Sequence, residues 1–283
     1  MIVFFNGELI PEEHALISVF DRGFLYGDGL FETIRICQGK PFRWNRHMER
    51  LRRGAAFLKI PALLPAEELR THVQELVRWN GLPESVLRIT LSRGIGRRGY
   101  SPAGADHPNL VMSLHPSPAL DRRRLSQWRL MTSSFRIAAN DPIANHKTCN
   151  KLLQVLARAE ADSQGADEVL LLNTDGDVAE SASGNLFWIR DGVVHTTPLA
   201  SGVLPGITRE AVMEVCQSSG LACREDRARL PALLQAKGIF LSLSTLGVVE
   251  VISLDGVALT QSSLTGRIRD AYQELLENES KAS

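Results

Sequence analysis

Lysine is scarce in this chain. Only Lys40, Lys59, Lys147, Lys151, Lys237 and Lys281 occur among its 283 residues, and every other basic side chain is an arginine. A chemistry that needs a lysine amine therefore has few places to reside. Charge of one sign is also lacking, because 32 basic residues are matched by 32 acidic ones. That balance leaves no basic field to draw in nucleic acid or an anionic membrane surface. Four cysteines (Cys37, Cys149, Cys216 and Cys223) stand without metal-type spacing. They read as reduced thiols of a cytoplasmic protein, and no metal site is expected. No window approaches a membrane span, and the apolar run in "MIVFFNGELI" is too short for a signal peptide.

What is present is the patterning of a mixed fold. The N-terminal part alternates short strands with turns: "MIVFF", Asn6-Gly7, "ELI", and "LFETIRIC" before "QGKP". Helices are expected over "NRHMERLRRGAAFL" and "AEELRTHVQELVRWNG". In "VLRITLSR", Arg88, Thr90 and Ser92 interleave with Leu87, Ile89 and Leu91, the period of a half-buried strand. Gly, Pro and Arg crowd "RGIGRRGYSPAGADHP", which reads as a loop. After "NLVMSLHP" a linker is expected at 119–125, dividing a small N-terminal α/β domain (1–118) from a larger domain (126–283).

The second part opens with the strand "WRLMTSSFRI". A helix follows in "NHKTCNKLLQVLARAEA", whose Leu152, Leu153, Val155, Leu156 and Ala159 are expected to face a core. Asp175-Gly176 and Asp191-Gly192 mark two hairpins, "LPGITREAVMEVCQSSG" a loop entering a helix, and "SSLTGRIRDAYQELLENE" a terminal helix. No regular βαβ period and no internal repeat occur, so the expected class is α+β in two lobes.

Two of the six lysines, Lys147 and Lys151, stand together at the expected mouth of that helix. Alone, they read as a solvated i,i+4 pair. Their company suggests more. A lysine that bonds a cofactor aldehyde needs an acid near the cofactor's ring nitrogen, a phosphate cradle and a donor for the phosphate charge. Glu180 lies in an otherwise apolar strand pair, where a carboxylate is costly unless it meets a cation. Ile207 and Thr208 follow Pro205-Gly206 at an expected helix N-terminus, a place that favours phosphate. Ser244 and Thr245 offer hydroxyls on a turn, and Arg50 offers a guanidinium. Each has an ordinary reading too: "PGITR" as a helix cap, Arg50 as one more surface arginine.

In their order and number these motifs resemble the class IV aminotransferases, the fold-type IV enzymes that use pyridoxal 5′-phosphate. That family includes branched-chain and D-amino acid aminotransferases and aminodeoxychorismate lyase. The resemblance runs through "DRGFLYGDGLFETIR", "RHMERL", "SRGIGRRGYS", "HKTCNKL", "GADEVLLLNTDGDVAESASGNLFW" and "LPGITR". It implies that Lys147 is the cofactor-bonding and proton-moving residue, and that Lys151 is not. It implies Glu180 at the pyridine nitrogen, Arg50, Ile207 and Thr208 at the phosphate, and Leu204 on the ring face. Ser244 falls where the family usually has a phosphate-binding threonine.

For the substrate, the resemblance points to Phe31, Thr33 and Arg35 on one strand and to Arg98 and Tyr100 on the loop. Branched-chain enzymes usually carry glycine where this chain has Thr33. D-amino acid enzymes of the well-known type carry tyrosine for Phe31 and histidine for Tyr100. The loop, "NLFW" and the form of the lysine motif lean toward aminodeoxychorismate lyase, which releases 4-aminobenzoate and pyruvate in folate synthesis. The alternatives are an aminotransferase for branched-chain or D-amino acids and, more remotely, a non-catalytic relative. The resemblance also implies a homodimer in which Arg98 and Tyr100 reach the neighbouring subunit's pocket. The ligand would be a small molecule.

Overall fold

The computed structural model describes residues 1–61, 64–117 and 125–282. Apart from residue 125, the expected linker at 119–125 lies outside the described residues. The chain divides into two compact units: residues 1–118 with 146–151 and 276–283, and residues 119–145 with 152–275.

The first unit contains β1 (Ile2–Phe5), β2 (Glu8–Pro11), α1 (Arg22–Tyr26), β3 (Gly29–Cys37), β4 (Lys40–Pro41), α2 (Trp44–Leu58), α3 (Ala66–Asn80), β5 (Ser85–Ser92) and β6 (Asn109–Pro116). Its six strands form one sheet in the order β2-β1-β6-β5-β3-β4. The sequence alternation decides the faces. Leu87, Ile89 and Leu91 of β5 join Leu30, Ile34 and Ile36 of β3 in an apolar core. Helices α2 and α3 complete that core with Trp44, Met48, Leu51, Leu69, Val73 and Leu76, which recur at helical spacing. The other face of the sheet carries Phe31, Thr33, Arg88 and Thr90. The register pairs Phe31 with Thr90 and Thr33 with Arg88.

The second unit contains β7 (Gln127–Ile137), α4 (Leu152–Gln164), β8 (Glu168–Asn173), β9 (Val178–Ser181), β10 (Asn185–Arg190), β11 (Val193–Thr196), α5 (Ile207–Ser218), β12 (Cys223–Glu225), α6 (Leu230–Leu234), β13 (Gly238–Leu243), β14 (Gly247–Leu254) and β15 (Val257–Ala258). The terminal α7 (Ser263–Ala282) starts here, and its last residues belong to the first unit. The strands run β12-β11-β10-β13-β14-β7-β8-β9, with β15 beside β14. A pairing of Asn185 with Glu180 joins β10 back to β9, so six of the strands close on themselves. Strand β8 is buried on both sides, with Leu170 and Leu172 in one apolar cluster and Val169 and Leu171 in another. The class is α+β, as the mixed patterning predicts.

Two local expectations are corrected. Helix α4 starts only at Leu152, so Lys147 stands in an extended segment before it and forms no helical pair with Lys151. The apolar face of α4 does not all turn inward either. Ala157 and Ala161 are buried, whereas Leu152, Val155 and Leu156 are 65%, 62% and 42% exposed. Periodicity locates an apolar stripe but does not say what covers it. Among the described residues, no helix is long and apolar enough to cross a membrane, and no cluster of metal-ligating side chains occurs.

Candidate active site

In the first unit, the segment 146–151 lies along the start of β3. The Phe31 N–H donates to the Lys147 carbonyl (2.9 Å), and the Cys149 N–H donates to the Gly29 carbonyl (2.9 Å). Thr148 bridges to Leu30. These bonds fix the Lys147 backbone as firmly as a strand would, and its Nζ lies 4.4 Å from the centroid of the Phe31 ring. The Arg88 guanidinium lies 3.5 Å from the same centroid. Among the described residues its one hydrogen bond runs from Nε to Thr90 Oγ1 (3.2 Å). Burial pushes the Arg88 pKa below its usual value. Two cations thus share one aromatic ring on the second face of the sheet, an arrangement that suits a ligand with negative charge.

The opposite face of β3 holds a carboxylate. Glu32 shares the side of Leu30 and Ile34 and is fully buried against α2. Arg50 donates to it from Nε (2.8 Å) and Nη2 (2.6 Å). His47 Nδ1 lies 2.7 Å from its Oε2. Burial alone would raise the Glu32 pKa, but the charge and hydrogen bonds of Arg50, with those of His47, hold it down at about 2. Burial pushes His47 below its ordinary value. The ionised carboxylate thus faces two Arg50 N–H donors and the His47 ring nitrogen. The consequence is that Glu32 fixes the plane of the Arg50 guanidinium.

Of the other expected substrate residues, Thr33 is half-buried on the Phe31 face. Arg35 is bound to Glu84 (3.2 Å) and to the Ser117 hydroxyl. Arg98 and Tyr100 are exposed on their loop. That loop is pinched at its base, where Gly94 has φ +82° and an added Cβ would collide with the His107 carbonyl.

The second unit gathers the remaining residues in two linked groups. Glu180 Oε2 accepts from Asn185 Nδ2 (3.0 Å) and from the Leu204 N–H (3.1 Å). Asn185 Nδ2 also donates to the Leu204 carbonyl (2.8 Å), so one amide aligns the carboxylate and the leucine backbone. Gly206 follows, and a Cβ there would strike Asn185 Oδ1. It caps α5, whose first turn receives no side-chain cap. Thr208 and Ser244 bring their hydroxyl oxygens to 3.4 Å, with Thr245 next on the same turn. An uncapped helix N-terminus, a glycine that keeps backbone N–H groups approachable and two adjacent hydroxyls together suit a phosphate. A carboxylate aligned by two donors suits a protonated ring nitrogen. The residues present therefore fit a pyridine ring bearing a phosphate.

Glu32, His47, Arg88 and Asn185 were not singled out from sequence. Their signals were present: a carboxylate among apolar strand residues, two basic side chains three apart on one helix, and an arginine in the polar phase of β5.

Comparison with known proteins agrees with this geometry. Residues 29–254 match the amino-transferase class IV family, and the chain belongs to it. It is an enzyme of a family that works with pyridoxal 5′-phosphate and has the fold-type IV architecture. A putative branched-chain-amino-acid aminotransferase of Methanocaldococcus jannaschii is 32% identical over 97% of this chain and 96% of its own length. Aminodeoxychorismate lyase of Bacillus subtilis is 29% identical over 99% of this chain and 95% of its own. Among solved structures, the branched-chain aminotransferase of Thermoproteus uzoniensis with norvaline superposes with a TM-score of 0.91 at 30% identity. That match covers 99% of this chain and 96% of the other. A further branched-chain enzyme with the same TM-score of 0.91 was solved with pyridoxamine 5′-phosphate.

Proposed function

We propose that this enzyme is an aminodeoxychorismate lyase, converting 4-amino-4-deoxychorismate to 4-aminobenzoate and pyruvate. The observation that carries the reading is the Arg88 guanidinium against the Phe31 ring beside Lys147, hydrogen-bonded only to Thr90 among the described residues. A half-buried cation of this kind favours an anionic ligand. A substrate with two carboxylates supplies one for Arg88 and leaves a second for the loop arginines, whereas a branched-chain amino acid has its α-carboxylate alone. Thr33 narrows and polarises the same face.

Pyridoxal phosphate supplies a carbonyl that condenses with amines and a ring that accepts electrons from the substrate carbon. Lys147 would hold the cofactor between turnovers, and its Nζ would take the proton from the carbon bearing the substrate amine. Cleavage of the C–O bond on the neighbouring carbon would expel enolpyruvate, which takes up a proton to become pyruvate, and the substrate's own ring would become aromatic. Glu180, aligned by Asn185 and the Leu204 N–H, would keep a negative charge at the cofactor's ring nitrogen, and Leu204 would lie against the ring. Ile207, Thr208, Ser244, Thr245 and Arg50 hold the phosphate. Arg98 and Tyr100, with Phe31, Thr33 and Arg35, bind the substrate, the loop residues reaching a second subunit's pocket.

A homodimer is supported by apolar side chains that a single chain leaves in water. Val19, Phe20 and Phe24 in the first unit are 64%, 66% and 73% exposed, and the α4 stripe is exposed in the second. Four free thiols suit a cytoplasmic enzyme of folate synthesis.

The similarity to the archaeal aminotransferase favours a second reading, transfer of an amino group from a branched-chain or D-amino acid to a 2-oxo acid. Arg88 would then take the amino acid's carboxylate. Product analysis separates the two. Cofactor-loaded enzyme mixed with 4-amino-4-deoxychorismate is expected to yield 4-aminobenzoate and pyruvate in equal amounts over many turnovers. No 4-aminobenzoate, together with 2-oxo acid formed from L-valine or D-alanine and 2-oxoglutarate, establishes the aminotransferase instead.

Glu180→Gln is expected to keep the cofactor through dialysis while lowering kcat by about a hundredfold. The amide oxygen can still accept the Leu204 N–H, so the geometry persists and only the charge is lost.

A further inference from the structure

The loop bearing Arg98 and Tyr100 is held by a buried arginine, Arg22. Arg22 opens α1, a short helix capped by Asp21, whose carboxylate accepts from the Gly23 N–H (2.7 Å). The Arg22 side chain is only 4% exposed. Its Nη1 donates to the Gly99 carbonyl (2.9 Å) and the Ser101 carbonyl (3.1 Å). Nη2 donates to the Tyr100 carbonyl (3.0 Å), and Nε to Asp28 (2.9 Å). Three consecutive loop carbonyls therefore converge on one guanidinium.

Neighbouring groups complete the arrangement. Burial would raise the Asp28 pKa, but hydrogen bonds and charge from Arg93 and Arg22 outweigh it and hold the carboxyl below the ordinary range. Arg93 also ties Asp28 to the end of α2 through the Leu58 (2.6 Å) and Lys59 (3.1 Å) carbonyls. The Tyr26 ring lies 5.0 Å from the Arg22 guanidinium, its hydroxyl accepts the Gly99 N–H (3.3 Å), and it meets the Tyr100 ring at 5.6 Å.

We propose that Arg22, backed by Tyr26, is the positioning residue of the substrate loop: it gathers the carbonyls of residues 99–101 and so sets where Arg98 and Tyr100 present their side chains. The inference rests on the reading that those two residues bind substrate. Consecutive peptide carbonyls do not converge unaided, because their dipoles repel. A planar fork with five donors can satisfy three of them and a carboxylate at once, and an ammonium cannot reach the same set in one plane. Arg98 and Tyr100 are left with their side chains in solvent and their backbone fixed. That arrangement lowers the ordering cost of gripping a ligand.

The test compares holoenzyme carrying Arg22→Lys, Arg98→Ala, or both. Arg22→Lys keeps the charge opposite Asp28 and removes the fork. The KM for 4-amino-4-deoxychorismate, or for 2-oxoglutarate if the enzyme proves to be an aminotransferase, is expected to rise about tenfold, with kcat changed less than about threefold. Amide hydrogen exchange over residues 97–101 is expected to quicken. Arg98→Ala is expected to raise the same KM, and the double variant to fall short of the product of the two effects, because Arg22 acts through Arg98.

If Arg98→Ala raises KM while Arg22→Lys leaves both KM and loop exchange as in the parent, the positioning role is wrong and the substrate-loop reading stands. If Arg98→Ala leaves KM unchanged, the substrate-loop reading falls and the inference with it. Should Arg22→Lys fail to fold, Tyr26→Phe removes only the acceptor of the Gly99 N–H. It is expected to shift KM about threefold in the same direction with faster loop exchange, and no change in either overturns the proposal.

Discussion

Replacing Lys147 by alanine is expected to abolish turnover, by at least about a thousandfold, and to remove the visible absorbance of the bound cofactor. Replacing Lys151 is expected to preserve both. The two lysines lie four residues apart in a polar segment, and in a helix they would be near-equivalent neighbours. The segment is not helical. Hydrogen bonds from Phe31 to the Lys147 carbonyl and from Cys149 to the Gly29 carbonyl lay it against β3, and the Lys147 amine is placed over the Phe31 ring. Lys151 comes after that registered stretch, immediately before α4. Absorbance spectra of the two purified variants with added pyridoxal phosphate check the assignment, since the signal needs no substrate. Bleaching by Lys151→Ala with retention in Lys147→Ala would falsify the role given to Lys147.

Features set by local spacing are the ones a sequence reader can reach. Strand β5 was legible because alternation is a local property: Leu87, Ile89 and Leu91 had to share a face, and they share the core. The groups Glu180–Leu204 and Thr208–Ser244 were legible as motifs. What aligns the first of them is Asn185, which is adjacent only because β9 and β10 pair at that residue. That pairing is local, five residues along a hairpin, but the same amide's bond to the Leu204 carbonyl spans nineteen residues, and no motif spacing reports it. The exposed Leu152, Val155 and Leu156 of α4 went the other way. Their period correctly announced an apolar face, but such a face leaves the same signature whether or not the chain's own core covers it. Arg22 was hidden for a third reason. Apart from Asp28, its partners are backbone carbonyls almost eighty residues away, and a carbonyl has no residue type to recognise.

Glu32→Gln is expected to be among the most destabilising single changes in the first unit, costing roughly 3–5 kcal/mol in urea unfolding. The ion pair with Arg50 owes its weight to burial, not to number. Glu32 is wholly buried, so removing its charge takes from the buried Arg50 guanidinium the carboxylate that accepts from its Nε and Nη2. The effect has a pH signature of definite sign. The carboxyl titrates near 4.5 ordinarily and at about 2 in the folded chain, so the fold favours the ionised form. That preference, roughly 3 kcal/mol, is fully present above pH ~4.5 and fades as pH falls toward 2. His47, whose pKa is lowered by burial, acts in the same direction at higher pH, because protonating it opposes folding. Urea midpoints of parent and variant should therefore lie far apart at neutral pH and draw together in acid below about pH 4. A constant gap across that range would mean that packing around Glu32, not its charge, accounts for the cost. Arg50 would keep its place without the carboxylate, and Glu32→Gln would leave the affinity for pyridoxal phosphate untouched. A gap that closes in acid, with cofactor affinity lowered in the variant, would tie Arg50 both to cofactor binding and to the carboxylate that holds it.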